Sequence, residues 1–239
     1  MASSYSTNAG LELVTTGEKA GLWGDITNTN LQILEQTATG YLSVDMAGAS
    51  VTLTLTNGAT SNGKNIYLRL YGTLSGDRTL TMPGTANRVW IVKDETVRGT
   101  SNRTLGVLTA SGTTQPIPPG ATVLCRSNGT QTDVTILSQG YATITDSNSP
   151  YTSVAGAQIF ANTTANPITI NLPASPTVGD EVSVLDTRGT WNSNNCTIGR
   201  NGQPINSATS DLTLNTNGQA ITLVYVDATR GWAYKTNTA

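Results

Sequence analysis

From Tyr41 onward the apolar residues recur at every second position. Val51, Leu53 and Leu55 alternate with Thr52, Thr54 and Thr56 up to the turn Asn57-Gly58, and Ile66, Leu68 and Leu70 repeat the pattern. Successive side chains on a strand point to opposite faces, so this alternation predicts strands with one buried face. More strands are predicted at 78–82, 89–92, 104–108, 121–126 and 132–137. In the second half they are predicted at 141–145, 158–161, 168–172, 181–185, 196–199, 212–214, 220–226 and 232–235. Many short strands separated by Gly, Asn and Pro predict antiparallel β-sandwich domains of jelly-roll type. Before Gly40 the period is different. Ile26, Leu31, Ile33 and Leu34 sit among helix-tolerant residues between Asp25 and Gln36, which predicts a helix of about three turns. Such a helix is marginal alone and must pack on the first β-domain or on copies of itself.

The β-pattern is written twice. Leu80-Thr81-Met82-Pro83, Val89-Trp90-Ile91-Val92 with Asp94, and Leu105-Gly106-Val107 follow one another in the first half. Ile168-Thr169-Ile170-Asn171-Leu172-Pro173, Val182-Ser183-Val184-Leu185-Asp186 and Thr197-Ile198-Gly199 follow in the same order in the second. Pro83 and Pro173 have no N–H for a sheet ladder and end the strands before them. The expected fold class is therefore all-β: a short N-terminal helical anchor in residues 1–40, a first β-sandwich in 41–138, and its duplicate in 139–239. A duplicated β-unit behind a distinct N-terminal segment is the plan of a scaffold or binding stalk.

Composition narrows the chemistry. The 239 residues are 37% apolar and only 12% charged, with a net charge of −2 and no basic cluster, so nucleic acid is not an expected partner. No apolar run is long enough to span a bilayer, and the opening Met1-Ala2-Ser3-Ser4-Tyr5-Ser6 has no signal-peptide pattern, so membrane insertion is not expected either. Cys125 and Cys196 read as small buried thiols. The chain has no histidine, which removes the usual nucleophile triads and His-containing zinc sites. Asp94-Glu95 and Asp180-Glu181 are the only acid pairs worth weighing, and neighbours on a strand face opposite ways. No enzyme activity, cofactor or metal is expected. Trp90 and Trp232 read as core; Trp191, in the polar loop Thr190-Trp191-Asn192-Ser193-Asn194, is the candidate for stacking on a sugar ring.

The strings Gly10-Leu11-Glu12-Leu13-Val14-Thr15-Thr16-Gly17, Gly21-Leu22-Trp23-Gly24 and Thr27-Asn28-Thr29-Asn30-Leu31 resemble the start of tail-fibre-like and other virion structural proteins of tailed phages, especially cyanophages and marine phages. The second half, with its 168–173 strand, the Gly179-Asp180 turn and the closing Tyr225 to Trp232 hairpin, resembles β-modules of phage fibres and spikes. That resemblance implies a homotrimeric neck, tail or head fibre of the virion, assembled in the host cytoplasm. It implies attachment to other virion proteins through Leu22, Trp23, Asp25, Asn28 and Asn30. Three copies of the helix would bury Ile26, Ile33 and Leu34 against one another. The alternatives are a carbohydrate-binding adhesin that takes a host surface glycan, with Trp191 as its contact, and a capsid-decorating cement protein.

Overall fold

The strands wind as β-solenoids. The computed structural model describes residues 4–84, 87–99 and 103–238, and the chain divides into two units, one holding most of the residues up to Leu137 and the other most of those from Ser138 on.

The first unit begins with a two-stranded ladder of β1 (Ser4–Tyr5) and β2 (Glu12–Leu13), followed by α1 (Trp23–Thr39). Its solenoid then alternates between two sheets: β3 (Tyr41–Asp45), β5 (Tyr67–Thr73) and β7 (Asn87–Val97) lie in one, β4 (Val51–Thr52), β6 (Arg78–Met82) and β8 (Leu105–Thr109) in the other. Strands from successive turns pair in parallel. The chain then reverses: β9 (Gln115–Pro116) pairs antiparallel with β8, β10 (Thr122–Asn128) pairs antiparallel with β7, and β11 (Thr132–Ser138) lies beside β10.

The second unit has the same strand order. β12 (Tyr141–Ile144), β14 (Ala157–Ala161) and β16 (Glu181–Asp186) form the first sheet in parallel, and β13 (Tyr151–Thr152), β15 (Ile168–Asn171) and β17 (Cys196–Gly199) form the second. β18 (Leu212–Leu214), β19 (Ala220–Asp227) and β20 (Gly231–Thr238) supply the antiparallel ends. Each unit makes three turns, about six in the chain.

This arrangement replaces the expected pair of antiparallel jelly-roll sandwiches. The predicted strands are present near their expected positions, but within the solenoid turns neighbours along the chain lie in different sheets and partners run parallel. Parallel pairing stacks like on like. Leu42, Leu68, Val92 and Val123 fall in one row of the first unit, and Ala142, Ile159, Val184 and Ile221 in the matching row of the second. Tyr151, Ile170, Ile198 and Leu212 make the facing row, so the two sheets of the second unit close over one apolar core. A fully buried aliphatic side chain in such a row contributes about 1.5–3 kcal/mol.

Helix α1 runs longer than its apolar pattern predicts. The hydroxyls of Thr37 and Thr39 donate to the Ile33 and Glu35 carbonyls at 2.8 and 2.9 Å, which satisfies acceptors near its end. It ends at Gly40, where the backbone turns extended while the Gly40 N–H still donates to the Gln36 carbonyl at 2.9 Å, an approach that a Cβ would obstruct. The helix is held to the first unit by Ile33, which is fully buried, and by Gln36, which exchanges two hydrogen bonds with the Ser61 backbone. Ile33 is thus spent inside its own chain and is not free to meet other copies, which corrects that part of the expected trimer contact.

Both cysteines are free and buried, and burial pushes each thiol from 9.0 up to about 12, with the Asp186 carboxylate adding to the rise at Cys196. A thiol with a higher pKa in the folded chain contributes stability in full below its unfolded value and loses it as pH rises toward the folded one. Stability is expected to fall between pH 9.0 and about 12, by roughly 1.4 kcal/mol per pH unit for each thiol. Urea unfolding across this window should show a flatter decline in the Cys125→Ala, Cys196→Ala double variant; an unchanged decline would place the titration elsewhere.

Candidate functional site

Helix α1 turns three large apolar side chains to solvent: Trp23, Leu31 and Leu34 are 51, 57 and 46% exposed. At about 100° per residue they fall within an arc of roughly 80°. Thr27, Leu31, Leu34 and Ala38 are all exposed and follow one another at spacings of four, three and four, the spacing of a coiled-coil seam. Leu22, at the position before the helix, is exposed as well. A lone exposed leucine is ordinary, whereas a contiguous apolar stripe marks an interaction surface.

The five residues expected at the attachment point separate into two roles. Leu22, Trp23, Asp25 and Asn28 are exposed, and Asp25 lies in the first helical turn, where its charge complements the N-terminal dipole. Asn30 is turned inward instead. Its side chain accepts from the Glu12 N–H and donates to the Glu12 carbonyl, both at 3.0 Å, and so ties the N-terminal segment to the helix. Lys19 reaches the Glu12 carboxylate at 3.2 Å beside it.

Trp191 does not face solvent. Its ring is fully buried in the core of the second unit, which removes it as a glycan contact. The cause is Asp186, whose carboxylate lies under the loop and accepts the Trp191 N–H at 3.3 Å, drawing the chain inward. Trp90 and Trp232 are also fully buried, the former donating to the Gly63 carbonyl at 3.0 Å. Besides Trp23, the most exposed rings are Tyr41, stacked on Tyr67, and Tyr141, stacked on Phe160.

The members of each acid pair are engaged with different partners. Asp94 is buried and accepts from Thr96, while Glu95 meets Arg69 at 2.6 Å on the surface. Asp180 accepts from the Thr177 backbone and hydroxyl, and Glu181 meets Lys235 at 2.6 Å. Among the described residues there is no cluster of three or more His, Cys, Asp or Glu side chains suited to a metal ion, and no helix long and apolar enough to cross a membrane.

No family model matches the chain, and no curated protein sequence does. One solved structure, described as "Structure of a chaperone-substrate complex", aligns over 82% of this chain at 14% identity with a TM-score of 0.35, and this chain spans 32% of that one. A likeness of that size carries no argument about fold or activity.

One group of residues gave no signal in the sequence. Lys64 lies in the polar stretch Ser61-Asn62-Gly63-Lys64-Asn65, which reads as a solvated loop, yet it is fully buried. Its Nζ donates to the Thr56 and Ala59 carbonyls at 2.7 and 2.6 Å. Burial first, and the neighbouring Arg88 second, hold its ammonium below the ordinary lysine range.

Proposed function

We propose that this chain is a structural component of a tailed-phage virion, a homotrimeric fibre-like appendage of the neck, tail or head held through its N-terminal helix. The observation that carries this reading is the exposed stripe of Trp23, Leu31 and Leu34 on a helix whose other face is already packed on a rigid β-unit. The resemblance of the opening motifs to virion structural proteins supplies the setting. Each of the three side chains is about half exposed, and covering what remains is worth roughly 1 kcal/mol per side chain. Repeated in three copies around one axis, that burial favours assembly, to which other contacts must add to offset the association entropy. The solenoids supply stiffness, since their stacked rows leave few side chains free to rearrange.

The test is oligomeric mass. Light scattering on the purified chain should give three times 24.9 kDa, and the Leu31→Asp, Leu34→Asp double variant should run near 24.9 kDa with an unchanged circular dichroism spectrum. The same variant should fail to enter particles. A monomeric parent protein, or a double variant that still assembles and is packaged normally, would defeat the proposal.

A further inference from the structure

The first unit contains a cavity of about 350 Å³, at the lower end of the size range of small-molecule sites. Ala9, Ile66 and Val89 give it apolar walls, Thr37 contributes from α1, and Arg88 and Arg126 supply its charge. No acidic residue lines it.

Arg88 and Lys64 form the unusual part. The Arg88 guanidinium donates to the Asn8 carbonyl at 3.3 Å and the Lys64 carbonyl at 2.9 Å, lies 5.9 Å from the centre of the Trp90 ring, and has a buried Nε with no partner. Lys64, behind it, is bonded to carbonyls alone. Among the described residues neither cation meets a carboxylate, and Arg126, exposed at the mouth, has none either. Carbonyl dipoles solvate a cation but do not cancel its charge, and a buried charge without a counter-charge is costly. Burial accordingly holds the Arg88 guanidinium below its ordinary value. A chain with so few charges has placed two positive ones, Arg88 and Arg126, in the lining of one apolar cavity, with Lys64 next to Arg88 behind it.

We propose that this cavity binds a small organic acid, its carboxylate at Arg126 in the field of Arg88 and Lys64 and its apolar body on Ile66 and Val89. The exposed guanidinium of Arg126 makes the direct charge-assisted bond, since the Arg88 donors are already engaged or shielded. The apolar walls reject small inorganic anions, which gain nothing from Ile66 and Val89 and lose hydration on entry. The acid thereby supplies the counter-charge that the fold omits. This site is separate from the helix stripe and does not depend on the virion reading.

Isothermal calorimetry of the full chain with octanoate tests it, with octanol as the neutral match. One octanoate per chain should bind, more weakly as salt is raised, and octanol should bind at least tenfold more weakly. Arg126→Glu and Val89→Asp change exposed side chains and should each weaken octanoate at least tenfold while leaving the circular dichroism spectrum unchanged. The Leu31→Asp, Leu34→Asp variant should keep the site. No heat from octanoate up to about 1 mM, equal binding of octanol, or full affinity in Arg126→Glu would overturn the assignment.

Discussion

Replacing Asp186 by alanine is expected to destabilise the second unit by roughly 3–5 kcal/mol, because several backbone donors lose one shared acceptor. The carboxylate is 5% exposed and lies at the end of β16, facing inward. One oxygen accepts the Arg188 and Gly189 N–H groups at 3.1 and 2.9 Å, and the other accepts those of Trp191 and Gly218 at 3.3 and 3.0 Å. Alanine leaves four backbone donors to find other partners. Each buried donor left without one costs about 1–3 kcal/mol, although those nearest the surface recover water. The loop that carries Trp191 into the core loses its fixed point as well, so tryptophan emission should shift along with the urea midpoint. Asp186→Asn keeps one acceptor oxygen but presents an NH2 to donors, and should recover less than half of the loss. A drop below about 1 kcal/mol for the alanine variant would show that these N–H groups do not depend on the carboxylate.

The same carboxylate explains where sequence reading stops. Strand positions were legible because period-two alternation follows from the backbone alone, and 78–82, 196–199 and 212–214 coincide with β6, β17 and β18. The direction of pairing was not. Leu68 points inward with the same alternation whether the neighbouring row is parallel or antiparallel, and nothing in its local sequence names Val92 as its partner. The shorter period inside each half, in which Leu42, Leu68 and Val92 occupy one row on successive turns, is hidden by connections of unequal length. Trp191 was misjudged, and Lys64 passed over, for a related reason. Both sit in polar segments, and each is held inward by polar atoms a few residues earlier in the chain, an aspartate in one case and two carbonyls in the other, whose direction the residue types alone do not reveal. On the helix, Ile33 and Leu34 are adjacent and equally apolar, and only the position of the solenoid decides which one is buried.

Gly231→Ala should cost about as much as the loss of a large core side chain, roughly 3–5 kcal/mol. Gly231 opens β20 with φ +69°, and a Cβ added there would overlap the Pro204 carbonyl oxygen. The left-handed backbone alone costs an alanine only about 1–2 kcal/mol. The collision adds the rest, because the neighbouring segment is bonded through the same place. The Trp232 N–H donates to the Pro204 carbonyl at 2.8 Å, the Asn206 N–H to the Trp232 carbonyl at 2.7 Å, and the Ser207 N–H to the Arg230 carbonyl at 2.9 Å. Moving the segment aside to admit a methyl group breaks that set and loosens Ile205 and Trp232, both buried in the core. Gly202 supplies the control. It has φ +99° with nothing within 4 Å of an added Cβ, so Gly202→Ala should show the backbone cost alone. Paired urea titrations read the difference directly. Equal losses in the two variants would mean that the 204–207 segment yields freely, and that Trp232 is held by the sheet rather than by the segment packed against it.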